Sequence, residues 1–279
     1  MKENWGKQVA CGQRFAFGIN WARFLPNLDE RRIRRAEDSL KDLLALTSLA
    51  GRTFLDAGSG SGLFSLAACR LGANVISFDF DPGSMACTDQ LRKNFFADNS
   101  DWTVLEGSVL DPNFLDQLGH FDVVYSWGVL HHTGRMWDAV DAVAKCVAPG
   151  GLIALAIYNT QPLFTPVWKR IKRLYCASPA PGRLAIAGTW AGICVVRSLV
   201  ADLVLLRNPL TRYTVNNAPR GMSFWRDVVD WVGGYPFETA TPDEVVRFMG
   251  ERGFTPVNVR SVGCRLGCNE FVFRRGGKS

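Results

Sequence analysis

Three groups of residues in this sequence could carry chemistry: a glycine-rich turn, an acidic strand end and a pair of histidines. The turn reads D-A-G-S-G-S-G, from Asp56 to Gly62, with further glycines at Gly58 and Gly60. Glycine lets the backbone turn tightly and lets a ligand lie against it. The amino-terminal N–H groups of the helix that follows favour an anionic group. Asp79 comes 21 positions after Gly58, where a carboxylate can accept hydrogen bonds from both hydroxyls of a ribose. The pattern predicts a nucleoside-containing ligand.

The spacing of the glycines and the acid before them separate two classes of ligand. A nicotinamide-binding loop usually reads G-x-G-x-x-G, whereas the third glycine here comes one residue early. Asp56 would repel a diphosphate, but it would tolerate a ligand that carries a cationic ammonium and a sulfonium. The loop therefore favours S-adenosylmethionine, and a nicotinamide dinucleotide is the alternative.

The adjacent histidines His131 and His132 follow an apolar strand, Phe121 to Trp127. Histidine is the natural base near neutral pH, so one of them could remove a proton from a methyl acceptor or orient it. The structural alternative is that one of them caps a helix or fixes the loop through a backbone hydrogen bond. We favour His132 for chemistry, and we expect His120, which lies in a turn, to be structural.

Apolar strands alternate with helix-length segments between residues 53 and 158. The predicted strands are Thr53–Ala57, Asn74–Asp81, a strand within Asp101–Leu110, Phe121–Trp127 and Leu152–Tyr158. This alternation predicts a parallel sheet covered by helices on both faces, in which the ligand lies beyond the carboxyl ends of the strands. The residues at or just past those ends are Asp56, Asp79, Ser108 and Trp127. We expect them to form one site.

The segments before and after this core complete the predicted architecture. A charged helix is expected over Asp29–Leu49, capped by Asp29 and ended by Gly51. The stretch 161–240 is too long for a connection and predicts an inserted cap. After a helix over Pro242–Glu251, two strands joined by Gly263–Cys268 predict an antiparallel hairpin at the sheet edge.

The predicted fold is thus α/β: a Rossmann-like, doubly wound, mostly parallel sheet with a C-terminal antiparallel hairpin and a mainly helical inserted cap. We expect residues 1–50 to form an N-terminal helical lid. Residues 51–160 and 241–279 would form the cofactor-binding domain, and residues 161–240 the substrate cap.

The chain resembles the class I S-adenosylmethionine-dependent methyltransferases, from about residue 21 to residue 158 and again at the final hairpin. The resemblance rests on D-A-G-S-G-S-G, the acid-ended F-D-F-D, the later G-S-V-L-D, and F-D-V-V-Y-S-W-G-V-L-H-H with its A-P-G-G. Within the family, V-L-H-H-T is most similar to the bacterial small-molecule branch typified by the ubiquinone-biosynthesis O-methyltransferases.

The resemblance implies S-adenosylmethionine as cofactor. The glycines of the turn would cradle its amino-acid end, Asp79 would hold the ribose and Phe80 would pack on the adenine. The family often has an Asp where this chain has Ser108; the serine hydroxyl can accept the same adenine hydrogen bond more weakly, or Asp111 can reach it. The expected cofactor-binding residues are Asp56, Gly58, Ser59, Gly60, Gly62, Asp79, Phe80, Ser108, Val109 and Trp127.

The implied activity is in-line methyl transfer to a small molecule, most often to a hydroxyl oxygen, with His132 or His131 as base or orienting group. Three alternatives stay open. They are N- or C-methylation of a small or lipid-like acceptor such as a quinone or glycolipid, a nicotinamide-dependent oxidoreductase, and a cofactor-binding protein without turnover.

Aromatic residues outside the core are the candidates for binding the acceptor. They are Trp21, Phe24, Trp225, Trp231 and Tyr235. Aromatic walls with a few polar groups are typical of ligand pockets. For Trp231 we favour the structural alternative, in which it anchors the cap on the domain, and the aromatic residues near Trp21 could instead pack a helix on the sheet.

A nearly all-apolar stretch lies in the cap at residues 182–206. Arg197 and Asp202 interrupt it, and a bilayer-spanning helix needs about 20 predominantly apolar residues. We therefore expect a buried cap helix or a homodimer face. Basic residues before it (Lys169 to Arg173) and after it (Arg207 and Arg212) leave peripheral membrane contact through 169–206 as an alternative.

The composition of the chain limits the classes of partner that we expect it to bind. The chain has 279 residues and a net charge of +6 without a long Lys/Arg run, so a nucleic-acid partner is not expected. Its eight cysteines are scattered, as in a reducing compartment, and Cys264 and Cys268 lack a second pair for a zinc site. No charged-then-apolar signal opens the sequence. We expect a cytoplasmic protein without a metal.

Overall fold

A seven-stranded sheet organises the fold. The computed structural model describes residues 2–97, 101–205 and 224–277, with side chains from residue 5 onward. The strands are β1 (Thr53–Ala57), β2 (Asn74–Asp79), β3 (Trp102–Glu106), β4 (Phe121–Trp127), β5 (Val147–Tyr158), β6 (Phe254–Arg260) and β7 (Cys268–Arg275). Their order is β3-β2-β1-β4-β5-β7-β6. Strands β1 to β5 are parallel, and β7 lies antiparallel between β5 and β6. The predicted fold class is confirmed.

Helices cover both faces of this sheet and extend beyond it. They are α1 (Lys2–Ala10), α2 (Phe17–Phe24), α3 (Glu30–Leu44), α4 (Leu63–Arg70), α5 (Pro82–Phe95), α6 (Pro112–Leu118), α7 (Met136–Lys145), α8 (Thr165–Ala177), α9 (Ala180–Val204), α10 (Phe224–Gly233) and α11 (Pro242–Gly250). On one face, α3, α4 and α5 bury side chains such as Leu40 and Leu66. On the other face, α6, α7 and α11 bury Leu115, Val140 and Met249.

The central strands are apolar along their whole length because both of their faces are covered. In β1, Phe54 contributes to the core beneath α3 and α4, whereas its neighbour Leu55 contributes to the core beneath α7. Adjacent residues of a strand point to opposite faces, so each strand supplies both cores. This explains why the sequence shows continuous apolar runs rather than strict alternation.

The order of the strands reverses next to β1. The chain moves outward from β1 to β2 and β3, then returns to the other side of β1 to form β4. Such a reversal leaves a crevice beyond the carboxyl ends of the two diverging strands. The glycine turn that follows β1 lies at this crevice.

Helices α3 and α6 differ from the prediction. Helix α3 begins after Asp29, whose side chain accepts a hydrogen bond from the backbone N–H of Arg32, but it ends at Leu44 rather than near Gly51. Ala45 adopts a left-handed conformation (φ 53°) that stops the helix earlier. Helix α6 was not predicted: Asp111 accepts from the N–H of Phe114 to cap this short helix.

The inserted segment folds into α8, α9 and α10, which contact one another. Their shared core is largely aromatic and includes Trp168, Tyr175 and Trp231. Lys172 of α8 is fully buried among these rings. The cap therefore has a hydrophobic core of its own, separate from the two cores of the sheet.

Helix α9 is not the buried helix that the sequence suggested. It is long and apolar enough to cross a membrane by length and composition, but only 6% of its most apolar window is buried. Only one stripe, which includes Ala187, contacts the rest of the cap. Arg207 and Arg212, the predicted basic residues after this helix, lie outside the described residues.

Candidate functional site

A cavity of about 1130 Å³ lies in the crevice at the carboxyl ends of β1, β2 and β4. Its walls come from the glycine turn, the ends of these strands, the N-terminal helices and the β6–β7 hairpin. Of the residues expected to bind the cofactor, all except Gly62 line it. The structure therefore brings together side chains that lie more than 70 positions apart in the sequence.

The glycines of the turn are required by its backbone. Gly58 and Gly60 have φ angles of 89° and 57°, a region that disfavours side chains. A Cβ on Gly58 would lie 2.3 Å from the nearer γ-methyl of Val129. Gly62 has a different role, since its Cβ would lie 2.8 Å from the Cα of Thr88. Gly62 thus allows the start of α4 to approach α5, outside the cavity.

Asp79 fixes the shape of the turn from the end of β2. Its two carboxylate oxygens accept hydrogen bonds from the backbone N–H groups of Gly60 (2.9 Å) and Asp81 (2.8 Å). A carboxylate oxygen has a second lone pair, so Asp79 can still accept from a ligand. Burial raises the pKa of Asp79 to about 6, although these backbone bonds oppose the change.

Asp56 belongs to a buried polar chain beneath the turn. It accepts a hydrogen bond from the Ser65 hydroxyl (2.5 Å), which itself accepts from Ser77 (2.8 Å), and Ser77 accepts from the Trp102 indole (2.8 Å). Burial raises the pKa of Asp56 to about 7; the Ser65 bond opposes this change and the nearby Asp79 charge adds to it. Asp56 therefore both lines the cavity and anchors the turn to α4.

This cradle fits S-adenosylmethionine. Gly58 and Gly60 add no side chain of their own to the cavity wall, and the carboxylates of Asp56 and Asp79 beside the turn would stabilise a cation. When bound, the cofactor would be held by Asp79 at the ribose hydroxyls, with its cationic centres near Asp56. Arg32 and Arg35 of α3 also line the cavity and could pair with the carboxylate of the cofactor.

The predicted adenine contacts also line the cavity, although two of them have local roles. Ser108 accepts a hydrogen bond from the N–H of Leu110 (3.2 Å), and Asp111 caps α6. Val109 is buried at 7% exposure. Phe80 lies under the guanidinium of Arg14, 5.1 Å from the ring centroid.

The N-terminal segment covers the cavity. The Trp21 indole lies over the turn, with Nε1 3.1 Å from where a Cβ of Gly60 would be. Phe24 is buried and touches the Trp21 ring edge-on at 6.1 Å. Gly18 donates its N–H to Asp81 (2.8 Å), which ties α2 to the start of α5.

The sequence analysis missed Arg14, which lines the cavity. Its guanidinium donates to the backbone carbonyl of His132 (3.0 Å). Burial lowers the pKa of Arg14, and the charges of Asp79 and Asp81 oppose this. No motif surrounds Arg14 in the sequence; its role depends on the folding of α1 and α2 over the distant strand ends.

The two histidines occupy different positions. His132 lines the cavity, and its Nδ1 lies 2.6 Å from the carbonyl oxygen of Pro236, so the tautomer with hydrogen on Nδ1 leaves Nε2 as an acceptor. Burial lowers the pKa of His132 to about 3; the Pro236 bond opposes this, and the charges of Lys172 and Arg14 add to it. His132 is therefore neutral at physiological pH.

His131 does not line the cavity. It is fully buried, and its Nδ1 accepts from the N–H of Tyr158 (3.3 Å). This is the structural role that the sequence analysis weighed as an alternative.

Three of the predicted acceptor-binding aromatics lie outside the cavity. Trp225 is 42% exposed at the start of α10, and Trp231 belongs to the aromatic core of the cap. Tyr235 lines a smaller, separate depression. They were misassigned because an aromatic side chain that packs within a helical cap looks the same in sequence as one that lines a pocket.

Other side chains that were not predicted also line the cavity. Tyr158 at the end of β5, Asp230 of α10 and Cys268 of β7 line it. Trp127 is oriented by a hydrogen bond from its indole to Glu270 (2.8 Å). These residues follow no local motif, because they come from elements that meet only in the folded chain. Within the described ranges, no cluster of three or more His, Cys, Asp or Glu side chains could hold a metal ion.

Sequence comparison assigns the central part of the chain. Residues 55–153 match the family model described as a methyltransferase domain. A tRNA U34 carboxymethyltransferase from Methylococcus capsulatus is 32% identical over 111 residues, which are 40% of this chain and 33% of that protein. A ubiquinone biosynthesis O-methyltransferase from Pseudomonas paraeruginosa is 32% identical over 116 residues, 41% of this chain and 47% of that protein. The chain thus spans a third to a half of the length of these relatives.

Solved structures agree on the fold. The magnesium protoporphyrin IX methyltransferase from Synechocystis PCC 6803, crystallised with S-adenosylhomocysteine, superposes with a TM-score of 0.53 at 16% identity over 92% of this chain and 93% of that one. An O-methyltransferase family protein from Burkholderia thailandensis gives 0.54 at 15% identity over 88% and 58% of the two chains. Residues 55–153 therefore match a methyltransferase domain, and the likeness to these solved structures shows that the chain has the Rossmann-like fold of S-adenosylmethionine-dependent methyltransferases.

Proposed function

We propose that this protein transfers a methyl group from S-adenosylmethionine to a hydroxyl oxygen of a small-molecule acceptor, which binds between the strand ends and the N-terminal helices. One observation carries the proposal: a single cavity runs from the glycine turn to His132. A methyl donor held by Asp79 and an acceptor beside His132 would therefore share one space. N- or C-methylation of a small or lipid-like acceptor is the second candidate, because the same cavity would also admit those groups.

The division of the chain supports this proposal. We assign residues 1–50 as a lid, residues 51–160 and 241–279 as the cofactor-binding domain, and residues 161–240 as the cap. The lid contributes Arg14 and Trp21 to the cavity, and the cap contributes Asp230. Each of the three parts would thus contact either the cofactor or the acceptor.

The acceptor would be small and partly aromatic. The rings of Phe17 and Tyr158 line the cavity in contact with His132, and the ring of Trp127 lines the same cavity. Flat, apolar walls with a few polar groups suit a ring-bearing ligand that carries a hydroxyl. These cavity walls suit a small molecule rather than a macromolecule as substrate.

His132 would orient the acceptor and would not act as a general base that stays protonated. A general base works best when its pKa lies near the working pH, and burial lowers the pKa of His132 to about 3. The neutral ring can still accept a hydrogen bond at Nε2 from the hydroxyl and turn an oxygen lone pair toward the methyl group. As the new O–C bond forms and the C–S bond breaks, the hydroxyl proton would pass through Nε2 to solvent. When bound, the cofactor supplies a methyl activated by a positively charged sulfur, so alignment is the main requirement.

The test is methyl transfer with the full-length protein. Labelled S-adenosylmethionine would be incubated with a panel of phenols, quinols, amines and carboxylates, and label in the products would be counted. We expect O-methylated products and a loss of about 10²-fold in kcat for His132→Ala, with affinity for S-adenosylhomocysteine, measured by titration calorimetry, unchanged within a few-fold.

His120→Ala is the matched control, because His120 is exposed in a turn and lies outside the cavity. It should leave transfer unchanged. Binding of NAD without binding of S-adenosylhomocysteine would contradict the proposed activity. Label found only on amines or carbon would contradict the choice of oxygen, and undiminished turnover in His132→Ala would remove that residue from the mechanism.

A further inference from the structure

Helix α9 exposes a large apolar surface. Its eight large apolar side chains with high exposure range from 43% for Leu199 to 75% for Leu203. The set is Leu184, Ile193, Val196, Leu199, Val200, Leu203, Val204 and, just past the helix, Leu205. Soluble monomers rarely expose contiguous apolar area on this scale without a binding role. We therefore expect this face of α9 to bind a partner.

The side of α9 that contacts the cap is already satisfied. Ile186, Ala187 and Trp190 pack into the aromatic core with Trp168, and Asp202 is buried at 3% exposure on the same helix. Among the residues that the structure describes, none covers the exposed face of α9. Gly188 and Gly192 lie in open space, which leaves a smooth outer surface.

Positive charge is concentrated in the segment of the chain that contains this helix. Residues 161–205 contain six Lys and Arg side chains and a single acid, Asp202. The whole chain has a net charge of +6, so this segment accounts for most of it. Lys169, Arg170 and Arg173 are exposed on α8, and Arg183 and Arg197 are exposed on α9. An exposed apolar helix beside exposed basic residues is the combination that binds anionic lipid surfaces.

The charged residues of α9 also restrict its orientation relative to a membrane. Arg197 and Asp202 fall within the last third of the helix, and charged groups are costly at the centre of a bilayer. One stripe in the amino-terminal half of α9, which includes Ile186, Ala187 and Trp190, is covered by the cap core. The helix is therefore suited to lie in the plane of the interface, with its exposed face in the acyl boundary and its basic neighbours at the headgroups.

We propose that α9 and the basic residues of α8 dock this protein on an anionic phospholipid surface. A second copy of the chain is the competing occupant. It is less favoured because two copies of this face would bring the basic side chains of α8 and α9 toward each other, whereas anionic headgroups neutralise them. The proposal is independent of the methyl acceptor and does not require methyl transfer.

The experiment is vesicle flotation of the full-length protein with phosphatidylcholine alone and with phosphatidylcholine containing phosphatidylglycerol. We expect several-fold more protein on the anionic vesicles and a decrease in binding as salt is raised, because charged attraction at a surface is screened. The double variant Val196→Glu with Leu203→Glu should lose most of this binding. Arg170→Ser with Arg173→Ser should reduce binding to the anionic vesicles specifically.

Val257→Glu is the matched control, since Val257 is equally apolar and 44% exposed, but lies on the edge strand β6. It should float like the wild type, and all variants should bind S-adenosylhomocysteine normally if they are folded. Absence of flotation, equal flotation on both vesicle types, or full flotation of the Val196/Leu203 variant would each overturn the proposal. A dimer in light scattering that this variant dissociates, without vesicle binding, would assign the face to a second copy.

Discussion

Asp79 shows how one side chain can shape a turn and still be available to a ligand. It holds the backbone N–H groups of Gly60 and Asp81 through different oxygens. The turn is therefore set before a ligand arrives, and a ligand that uses the remaining lone pairs does not have to reorganise it. Preorganisation of this kind lowers the entropic cost of binding.

Replacing Asp79 by Asn should weaken cofactor binding about 10- to 100-fold, because a charged hydrogen-bond acceptor contributes about 1.5–3 kcal/mol and an amide group offers one accepting oxygen instead of two. Calorimetric titration with S-adenosylhomocysteine measures the loss. In the wild type, affinity for S-adenosylmethionine should fall as the pH drops through about 6, where Asp79 becomes protonated. The Asn variant should lose that component of the pH dependence.

Asp122→Asn is the control for this change. Asp122 also accepts two hydrogen bonds, from the N–H and the hydroxyl of Thr53 (2.9 and 3.0 Å), but at the opposite end of the sheet. Its substitution should alter stability and leave affinity for the cofactor as it was. Equal losses of affinity in both variants would mean that the effect of Asp79 is general destabilisation.

At the scale of elements, α2 is held against α5 by an unusually close backbone approach. A Cβ on Gly18 would lie 2.5 Å from the backbone nitrogen of Ser84 and 2.6 Å from the carbonyl carbon of Gly83. The contact between α2 and α5 places Trp21 over the glycine turn. Gly18 does not line the cavity, but its close contact with α5 sets the position of Trp21.

Gly18→Val should displace α2 and open the cavity, because neither backbone atom can move aside without shifting α5. We expect faster release of S-adenosylhomocysteine, measured by stopped-flow fluorescence of Trp21 and its neighbours, and an affinity several-fold lower. Gly6→Ala is the control, since Gly6 has nothing within 4 Å of an added Cβ. If Gly18→Val binds and releases the cofactor like Gly6→Ala, the lid does not depend on this contact.

Elements with strong local signals were predictable. The strands β1 and β4 match the prediction at both ends, because continuous apolar runs end abruptly at Asp56-Ala57 and at Trp127. Helix α11 was recognisable from Thr241, which forms a capping box with Glu244. Helix α6 was missed because it is short, and its start depends on the side chain of Asp111 rather than on apolar periodicity.

The candidate site was only partly predictable for the same reason. The glycine turn and Asp79 belong to one local motif and were found, whereas Arg14 and Asp230 reach the cavity only because distant segments meet there. The exposure of α9 could not be read from its composition, since a helix that is apolar on most sides suits a core, an interface or a membrane equally well.

At the scale of the whole molecule, the core of the cap surrounds a buried lysine side chain. The ammonium of Lys172 lies within 6 Å of the ring centroids of Tyr158, Trp168, Trp231 and Phe237. It also donates to the backbone carbonyl of Trp231. The rings favour the charged form, but burial outweighs them and lowers the pKa of Lys172 to about 7, with Asp230 opposing the change.

This lowered pKa makes stability depend on pH. Between pH 7 and the ordinary lysine pKa of 10.5 the unfolded chain holds a proton that the folded chain does not, so the free energy of unfolding rises with pH. From pH 7 to 9 the rise should be up to about 3 kcal/mol, at about 1.4 kcal/mol per pH unit. Lys172→Met should remove it, as measured by urea denaturation at several pH values.

The comparison should stop at pH 9, because burial raises the pKa of thiols such as Cys176 to about 11 and their titration acts in the opposite direction above that pH. Lys93→Met is the control, since Lys93 is exposed and paired with Asp89, and it should keep the wild-type slope. A slope that survives in Lys172→Met would mean that Lys172 stays charged in the folded protein.

The cavity draws its walls from both ends of the chain: Arg14 and Trp21 near the beginning, and Cys268 and Glu270 in the last strand. During synthesis the glycine turn leaves the ribosome long before β7. An incomplete chain would therefore have an incomplete cavity with solvent-exposed carboxylates. The chain would therefore be able to bind the ligand only late in synthesis, in a single step, when β7 inserts between β5 and β6.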